Sequence, residues 1–283
     1  MKSIYKYIVC VCTALAATSC DFLDVVPDNV ATEEHAFADR YTVEKYLASC
    51  YWRVPKAASM SENPGIHGAM EMILNTEYSG DTGMKLGLGQ DSPTSALMNY
   101  WASSYSLYAG IRDCNTFMMG IGDVKDLDEY EKKRMIAEVK MLKAYFHFYL
   151  LSYYGPICPL RESPAVNEST QAVRVYREKV DDCFSYVLDL MDEVIESEAL
   201  PLILSNPTTE LGRFTQPAAY MLKAKILLYW ASPLFNGNTD YNSFRDHNGE
   251  PFFNQTYDAS RWTTAAEACK KAVDICEIAG IRL

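Results

Sequence analysis

The side chains that do chemistry in proteins are nucleophiles, paired carboxylates, imidazoles and exposed aromatic rings, and few in this sequence fall at spacings a catalyst uses. There is no HExxH, no GxSxG and no glycine loop ending in Gly-Lys-Ser/Thr, and Gly87-Leu-Gly89-Gln-Asp-Ser lacks the third glycine and the strand-to-helix setting of a dinucleotide fingerprint. The 4 histidines (His35, His67, His147, His247) are scattered and lie at no ligand spacing from a cysteine pair, which leaves no zinc site. His147 sits beside Phe146 in a helical run and reads as a structural imidazole rather than a general base. Glu77 and Asp81 share a loop that suits calcium, but without EF-hand spacing, so no cofactor is expected. With 37 acidic residues some carboxylates always pair as in a glycoside hydrolase, and most here belong to solvated helix faces. What remains is aromatic. Tyr78, Tyr241, Phe252, Phe253 and Tyr257 lie in irregular segments, where a flat ring beside Asn, Asp or Arg can hold a sugar or can simply pack under its own loop.

One thiol stands apart. Residues 1–19 carry Lys2 and Lys6, an apolar run from Tyr7 to Ala17, and the small residues Ala17, Thr18 and Ser19 directly before Cys20. The run is too short to cross roughly 30 Å of hydrocarbon, so it reads as an export signal. It resembles a bacterial lipoprotein signal, which implies that Cys20 is lipidated and anchors the chain, since two or more acyl chains make attachment effectively permanent. With Cys10 and Cys12 leaving with the signal, Cys50, Cys114, Cys158, Cys183, Cys269 and Cys276 remain, and they read as buried free thiols.

The elements that carry these residues are helices. Of the 283 residues, 49% are hydrophobic, and 20 Tyr, 11 Phe and 12 Met stand against 14 Gly and 12 Pro. This excludes disorder and favours long helices. The net charge of −11 argues against a nucleic-acid groove, which rewards clustered Lys and Arg. Val43, Leu47, Cys50 and Val54 predict a helix capped by Thr42 and stopped by Pro55. Residues 56–95, rich in Gly and Pro, form the longest irregular stretch and a candidate binding surface, with room for one turn around Glu71–Asn75. A helix is expected from Pro93 to Gly122, striped by Leu97, Trp101, Tyr105, Tyr108, Arg112, Asn115 and Met119 and, beside it, Tyr100, Leu107, Ile111, Cys114 and Met118. Glu129–Tyr154 repeats the period through Met135, Val139, Leu142, Phe146, Tyr149 and Tyr153, with Glu138 and Lys143 off that stripe, and Gly155-Pro156 ends it. Further helices are expected over Val173–Glu196, from Thr215 or Gln216 to Trp230, and from Trp262 through Ala265, Cys269, Ala272 and Cys276. The stripe aromatics Trp101, Tyr105, Phe146, Tyr149 and Trp262 are expected in the core, and any strands are short and confined to 56–95 or 236–258. The expected fold is mainly α, with stacked helix pairs of tetratricopeptide type.

Several segments together resemble the SusD/RagB family of Bacteroidetes outer-membrane proteins: Cys20-Asp-Phe-Leu-Asp with Pro27, Ala36-Phe37 and the helix of Leu47 and Tyr51; Trp101, Tyr105, Ile111 and Asn115; Ala137-Glu138 through Lys143-Ala144-Tyr145 to Tyr154-Gly155-Pro156 and Pro159-Leu160; Gly212-Arg213-Phe214-Thr215; and Arg261-Trp262 with Ala265-Ala266. Lys143 stands where the family usually has Arg, taken as a mild change on a solvated face. The resemblance implies a signal at 1–19, a lipidated tether and lead-in at 20–41, and a SusD-like helical domain at 42–283 that looks like the amino-terminal portion of a longer protein. It also implies a surface lipoprotein of the outer membrane, not an enzyme, that binds a polysaccharide, oligosaccharide or other nutrient oligomer and delivers it to a SusC-like TonB-dependent transporter. The alternatives are an exported helical glycoside hydrolase and a non-binding scaffold. No family motif carries over a ligand residue, and Tyr78, Asp81 and Asn99, on or next to the irregular stretch, are the expected ligand contacts.

Overall fold

The structure, a computed structural model, describes residues 33–56, 82–92, 94–103, 106–164, 168–171 and 173–282. Its elements are α1 (Glu33–Ala36), α2 (Arg40–Trp52), α3 (Thr82–Gly87), α4 (Leu107–Gly120), a 3-10 turn (Ile121–Asp123), α5 (Glu129–Tyr154), α6 (Val180–Glu196), α7 (Pro207–Glu210), α8 (Gln216–Ala231) and α9 (Ser260–Ile278). Among the described residues the only β pairings are isolated bridges, Ser92 with Ser95 and Arg245 with Pro251. Helices adjacent in the chain are neighbours in space: α4 packs on α5, α5 on α6, and α8 on α9, while α8 joins the last pair to the first three of these helices through α6 and α5. This is the expected stacking of helix pairs, around one continuous apolar core.

Local chemistry explains most of the boundaries. Asp39, not Thr42, caps α2: its carboxylate accepts from the Thr42 amide at 2.8 Å, and the Thr42 hydroxyl accepts from the Asp39 amide at 3.2 Å. A carboxylate is the better partner for the helix N-terminus, and threonine three residues in completes the reciprocal box. Asp128 and Glu131 repeat the device at α5. Gly155 ends α5 at φ +69°, and a Cβ there would lie 2.9 Å from the Phe253 ring, so both backbone and space call for glycine.

Two expected helices change extent and a third changes the face it buries. The Pro93–Gly122 helix is confined to Leu107–Gly120, because the Asn99 side chain accepts from the Trp101 and Ala102 amides (3.1 and 2.8 Å) and folds 99–103 into turns, and Ser106 then caps α4. Tyr105 and the turn at Glu71–Asn75 lie outside the described residues. On α4 the core stripe is Leu107, Ile111 and Cys114 with Phe117, while Met119 is exposed. Val173–Glu196 becomes helical only at Val180, because the Glu178 and Val180 amides donate to Ile157 and Phe252 carbonyls at 2.8 and 2.9 Å. Val173 and Tyr176 are therefore exposed, with Tyr176 stacked on His247. The last helix buries Arg261, Ala265 and Ala272 with Ala268 partly covered, which shifts the stripe so that Trp262 is 40% exposed and Cys269 is exposed. The cause is Asp181. It receives both Arg261 terminal nitrogens (3.0 and 2.7 Å) and the Trp230 indole N–H (2.7 Å), and this charge pairing sets the rotation of α9. Of the six thiols, Cys50, Cys114 and Cys183 are buried, Cys158 and Cys276 are half-buried, and all six are free.

Gly120, at the end of α4, lies against the face of Phe37, which packs on Tyr46 and Phe117 with ring centres 5.3 and 6.0 Å apart. A methyl group there would overlap the ring. Gly120→Ala is expected to destabilise by about 1–3 kcal/mol through overpacking, read as a lower urea midpoint with unchanged slope. An unchanged midpoint would show that Phe37 swings away freely.

Candidate functional site

The residues that carry the family pattern meet inside the fold, and there they build structure. Glu138 is fully buried. Its carboxylate accepts from Arg134 Nε at 3.2 Å, Arg213 Nη2 at 2.7 Å and the Tyr51 hydroxyl at 2.8 Å. The Tyr51 oxygen in turn accepts from the Phe214 amide at 3.1 Å, and Glu210 bridges Arg134 and Arg213 at 2.7 and 3.3 Å. One buried carboxylate thus ties α2, α5 and the lead-in to α8. Burial, and then the Glu138 charge, push the Tyr51 hydroxyl far above the usual tyrosine range, so it stays a donor. Burial works against the Arg213 charge, but the bond to Glu138 outweighs it and the guanidinium is held above its usual value. A concavity of about 910 Å³ opens beside this knot, rimmed by Arg40, Glu44, Asp128, Glu131 and Glu210.

A second structural cluster lies one turn further along α5. Lys143 is 2% exposed, which corrects the solvated face expected for it and for Glu138. Its ammonium donates to the Arg161 carbonyl, and burial pushes it down to about 8. His147, also buried, accepts from the Leu160 amide at Nε2 (3.1 Å) and lies 2.8 Å from the Lys143 carbonyl at Nδ1. Accepting at Nε2 places the proton on Nδ1, the tautomer of a neutral imidazole. Burial, against the helping carbonyl, lowers it to about 3. Neutral, enclosed and twice hydrogen-bonded, it is the structural histidine the sequence implies.

A groove of about 520 Å³ lies between the end of α2 and the 97–103 turns, within the range of small-ligand sites. Trp52, Arg53, Lys56, Asn99, Tyr100 and Ser103 contribute to its wall. Trp52 is 67% exposed, an indole turned outward from a helix whose buried residues are Val43, Leu47 and Cys50. The Arg53 guanidinium lies 5.9 Å from the Trp52 ring, and its Nε bonds Asp113 at 3.2 Å, which fixes the arginine beside the ring. Tyr100 stands edge-on to Tyr149 and Tyr153 (ring centres 5.3 Å), and these two rings stack on each other at 4.9 Å. The Tyr100 amide donates to the Tyr154 hydroxyl at 3.0 Å, and the Trp101 ring packs edge-on to Tyr154 and Tyr108. Two aromatic residues, Trp52 and Tyr100, thus stand in the groove wall with amide, hydroxyl and cationic groups, and the other rings back Tyr100 from outside it; a ring flanked by polar groups suits the apolar face and polar rim of a sugar.

Of the expected ligand contacts, Asn99 lines this groove, its amide oxygen engaged by the turn it caps. Tyr78 and Asp81, with Glu77 and Cys20, lie outside the described residues. Among the loop aromatics, Phe252 and Phe253 are buried, with Phe253 between Phe235 and Tyr241 at 6.2 and 4.9 Å. They pack under their own loop. Tyr241 and Tyr257 are exposed and line neither of these two concavities. Sequence reasoning passed over Trp52, whose signal was available: it lies off the apolar stripe of its helix, directly before Arg53. No group of His, Cys, Asp or Glu among the described residues is arranged to hold a metal. No helix among them is long and apolar enough to cross a membrane.

Stacked helix pairs beside a groove that carries Trp52 and Tyr100 define a mainly helical scaffold. The chain belongs to the SusD-like_3 family, described as "Starch-binding associating with outer membrane", whose model matches residues 21–228. Among solved structures, BT4246 is 26% identical, over 86% of this chain and 41% of that one, with a TM-score of 0.74. A SusD-like protein (BF3747) from Bacteroides fragilis NCTC 9343 is 20% identical, over 88% of this chain and 40% of that one, at 0.60. Surface glycan-binding protein A from Bacteroides thetaiotaomicron, in complex with laminarihexaose, is 16% identical, over 83% and 43%, at 0.52. The last two are likenesses of fold. The chain spans about two fifths of the length of these structures. No curated protein matches it.

Proposed function

We propose that this chain belongs to a surface lipoprotein of the outer membrane that captures a glycan in the Trp52–Asn99–Tyr100 groove and hands it, chemically unaltered, to a partner SusC-like TonB-dependent transporter. On this reading residues 1–19 are the export signal, Cys20 carries the lipid, 20–41 tether the body, and 42–283 form the binding scaffold. The observation that carries it is the exposed Trp52 indole beside Asn99 and Tyr100, on a scaffold whose family description joins starch binding to the outer membrane. Capture for transport favours weak binding: a millimolar site corresponds to about −4 kcal/mol, enough to concentrate ligand while leaving release fast. The test is retardation of the purified chain in native gels containing starch, laminarin or another soluble polysaccharide, with reducing sugar assayed in parallel. Retardation without release of reducing ends is expected, and Trp52→Ala is expected to weaken it by about tenfold or more, as loss of a central aromatic anchor does, with an unchanged unfolding midpoint. Turnover that vanishes with one carboxylate would instead establish a hydrolase, and no retardation by any glycan would leave a scaffold. Cys20→Ala is expected to move the protein from the membrane to the soluble fraction.

A further inference from the structure

We infer that Cys50 and Cys114, free thiols in this structure, are a built disulfide site that is closed in the exported protein; this rests on the export reading of residues 1–19. The pair is read from the seam between α2 and α4, which run antiparallel. At one end a Cβ on Gly110 would lie 3.2 Å from the Arg53 Cβ, so the two backbones nearly touch. Further along, the Tyr46 and Phe117 rings meet with centres 6.0 Å apart. Between these contacts α2 steps from Arg53 to Cys50 to Tyr46 while α4 steps from Gly110 to Cys114 to Phe117. Steps of three and four residues keep to one face of a helix, so all six positions lie on the two facing stripes. The register therefore sets Cys50 opposite Cys114. Both are completely buried, and their thiols hydrogen-bond across the seam. Cys183, by contrast, turns its thiol to the Ile157 and Glu178 carbonyls at 3.7 Å, and Cys269 is exposed.

A disulfide is about 2.05 Å long, so the sulfurs have only to close from hydrogen-bond contact by turning side chains already aimed at each other. Closing the bond removes two electrons and two protons from the pair. A disulfide-bearing oxidant of the compartment outside the inner membrane accepts them by exchange. One protein thiolate attacks the donor disulfide, forming a mixed disulfide as one donor thiol leaves, and the second protein thiolate then displaces the other donor thiol. The protein ends with one disulfide and the donor as two thiols. Burial, and then the Cys50 thiol, hold the Cys114 thiol well above its usual range, so the folded pair is a poor nucleophile. The exchange therefore belongs to folding, before α2 seats on α4, and the finished bond is sealed in the core. It fixes on α4 the end of α2 that presents Trp52 and Arg53, where Asp113, next to Cys114, already holds Arg53 at 3.2 Å.

The full chain in detergent micelles is unfolded in urea with reductant, then refolded either with reduced and oxidised glutathione together or in reductant alone. Each preparation is alkylated in denaturant and mapped by peptide mass. The glutathione preparation is expected to yield one crosslinked pair, Cys50 with Cys114, and to leave Cys158, Cys183, Cys269 and Cys276 alkylated. It is expected to melt about 5–10 °C above the reduced preparation, because the crosslink constrains the unfolded chain. Cys50→Ala and Cys114→Ala, made separately, are each expected to melt alike after either refolding. The same mapping of chain taken from whole cells, with thiols blocked at lysis, is expected to show the bond. No crosslink on refolding, a different pair, or a crosslinked chain that melts no higher than the reduced one overturns the inference. So do free Cys50 and Cys114 thiols in chain recovered with the outer membrane. Free thiols in chain recovered from the cytoplasm, with the crosslink formed on refolding, overturn the export reading instead and leave the site standing.

Discussion

Replacing Glu138 by alanine is expected to lower the unfolding free energy at neutral pH by about 3 kcal/mol. The substitution removes the one carboxylate shared by Arg134, Arg213 and Tyr51 and leaves two guanidinia and a phenol without it. The magnitude follows from what stays behind rather than from what is lost. An ion pair that is well solvated contributes about 0–1 kcal/mol, but stranding a buried charge costs about 3–5. Here the Arg134 and Arg213 side chains are 13% and 26% exposed, and the adjoining concavity lets water reach them, which sets the expectation at the lower end of that range. Glu210 keeps its bonds to both arginines and moderates the loss further. Glu138→Gln, which can still accept one hydrogen bond, is expected to cost about half as much. Urea unfolding of both variants is the measurement. A loss under about 1 kcal/mol for the alanine variant would show that the network is solvated in solution and that α8 is held to α5 by apolar contact alone.

Acid should expose a second dependence. His147 is neutral in the folded chain, lowered to about 3 by burial, against about 6.5 in the unfolded chain. As pH falls below the unfolded value, the unfolded state takes up a proton the folded state refuses, so stability is fully present above about pH 6.5 and is lost progressively toward the folded value. Linkage gives about 2 kcal/mol lost at pH 5 and about 3 at pH 4 from this residue alone. His147→Gln, whose amide oxygen can accept from the Leu160 amide, is expected to be less stable than the parent at pH 7.5 and to lack that slope. Unfolding free energies of both proteins at pH 7.5, 5 and 4 decide it: parallel curves would mean that water reaches the imidazole and that burial does not set its ionisation.

How much of this was legible in the sequence follows from what each residue depends on. The periodic apolar positions of α2, α5 and α8 mark helices, because a stripe every three or four residues has no other way to be buried. His147 was readable as structural from its place in such a run. The starts of α4 and α6 were not readable, since Asn99 turning its own backbone and Glu178 and Val180 bonding to distant carbonyls are competitions between local and remote partners that periodicity does not register. Lys143 and Glu138 read as surface charges because their types do, and they are buried because Arg161, Arg213 and Tyr51 arrive from elsewhere in the chain to satisfy them. The same applies to the groove. Asn99 was singled out by its neighbourhood in sequence; the place of Trp52 off the apolar stripe of α2 marks it as outward, but only the fold sets it in one groove with Tyr100.

By themselves, then, the residues in order determined a mainly helical body of paired elements, an acidic chain and membership of a family recognisable from dispersed short motifs. Those properties depend on near neighbours and on composition, which a linear text contains. Only the tertiary structure decided which charges are buried, which way α9 is rotated, and which residues share the groove at Trp52. Each of these is set by a partner tens of residues away, and the energy of a buried charge is a property of the surroundings that fold around it.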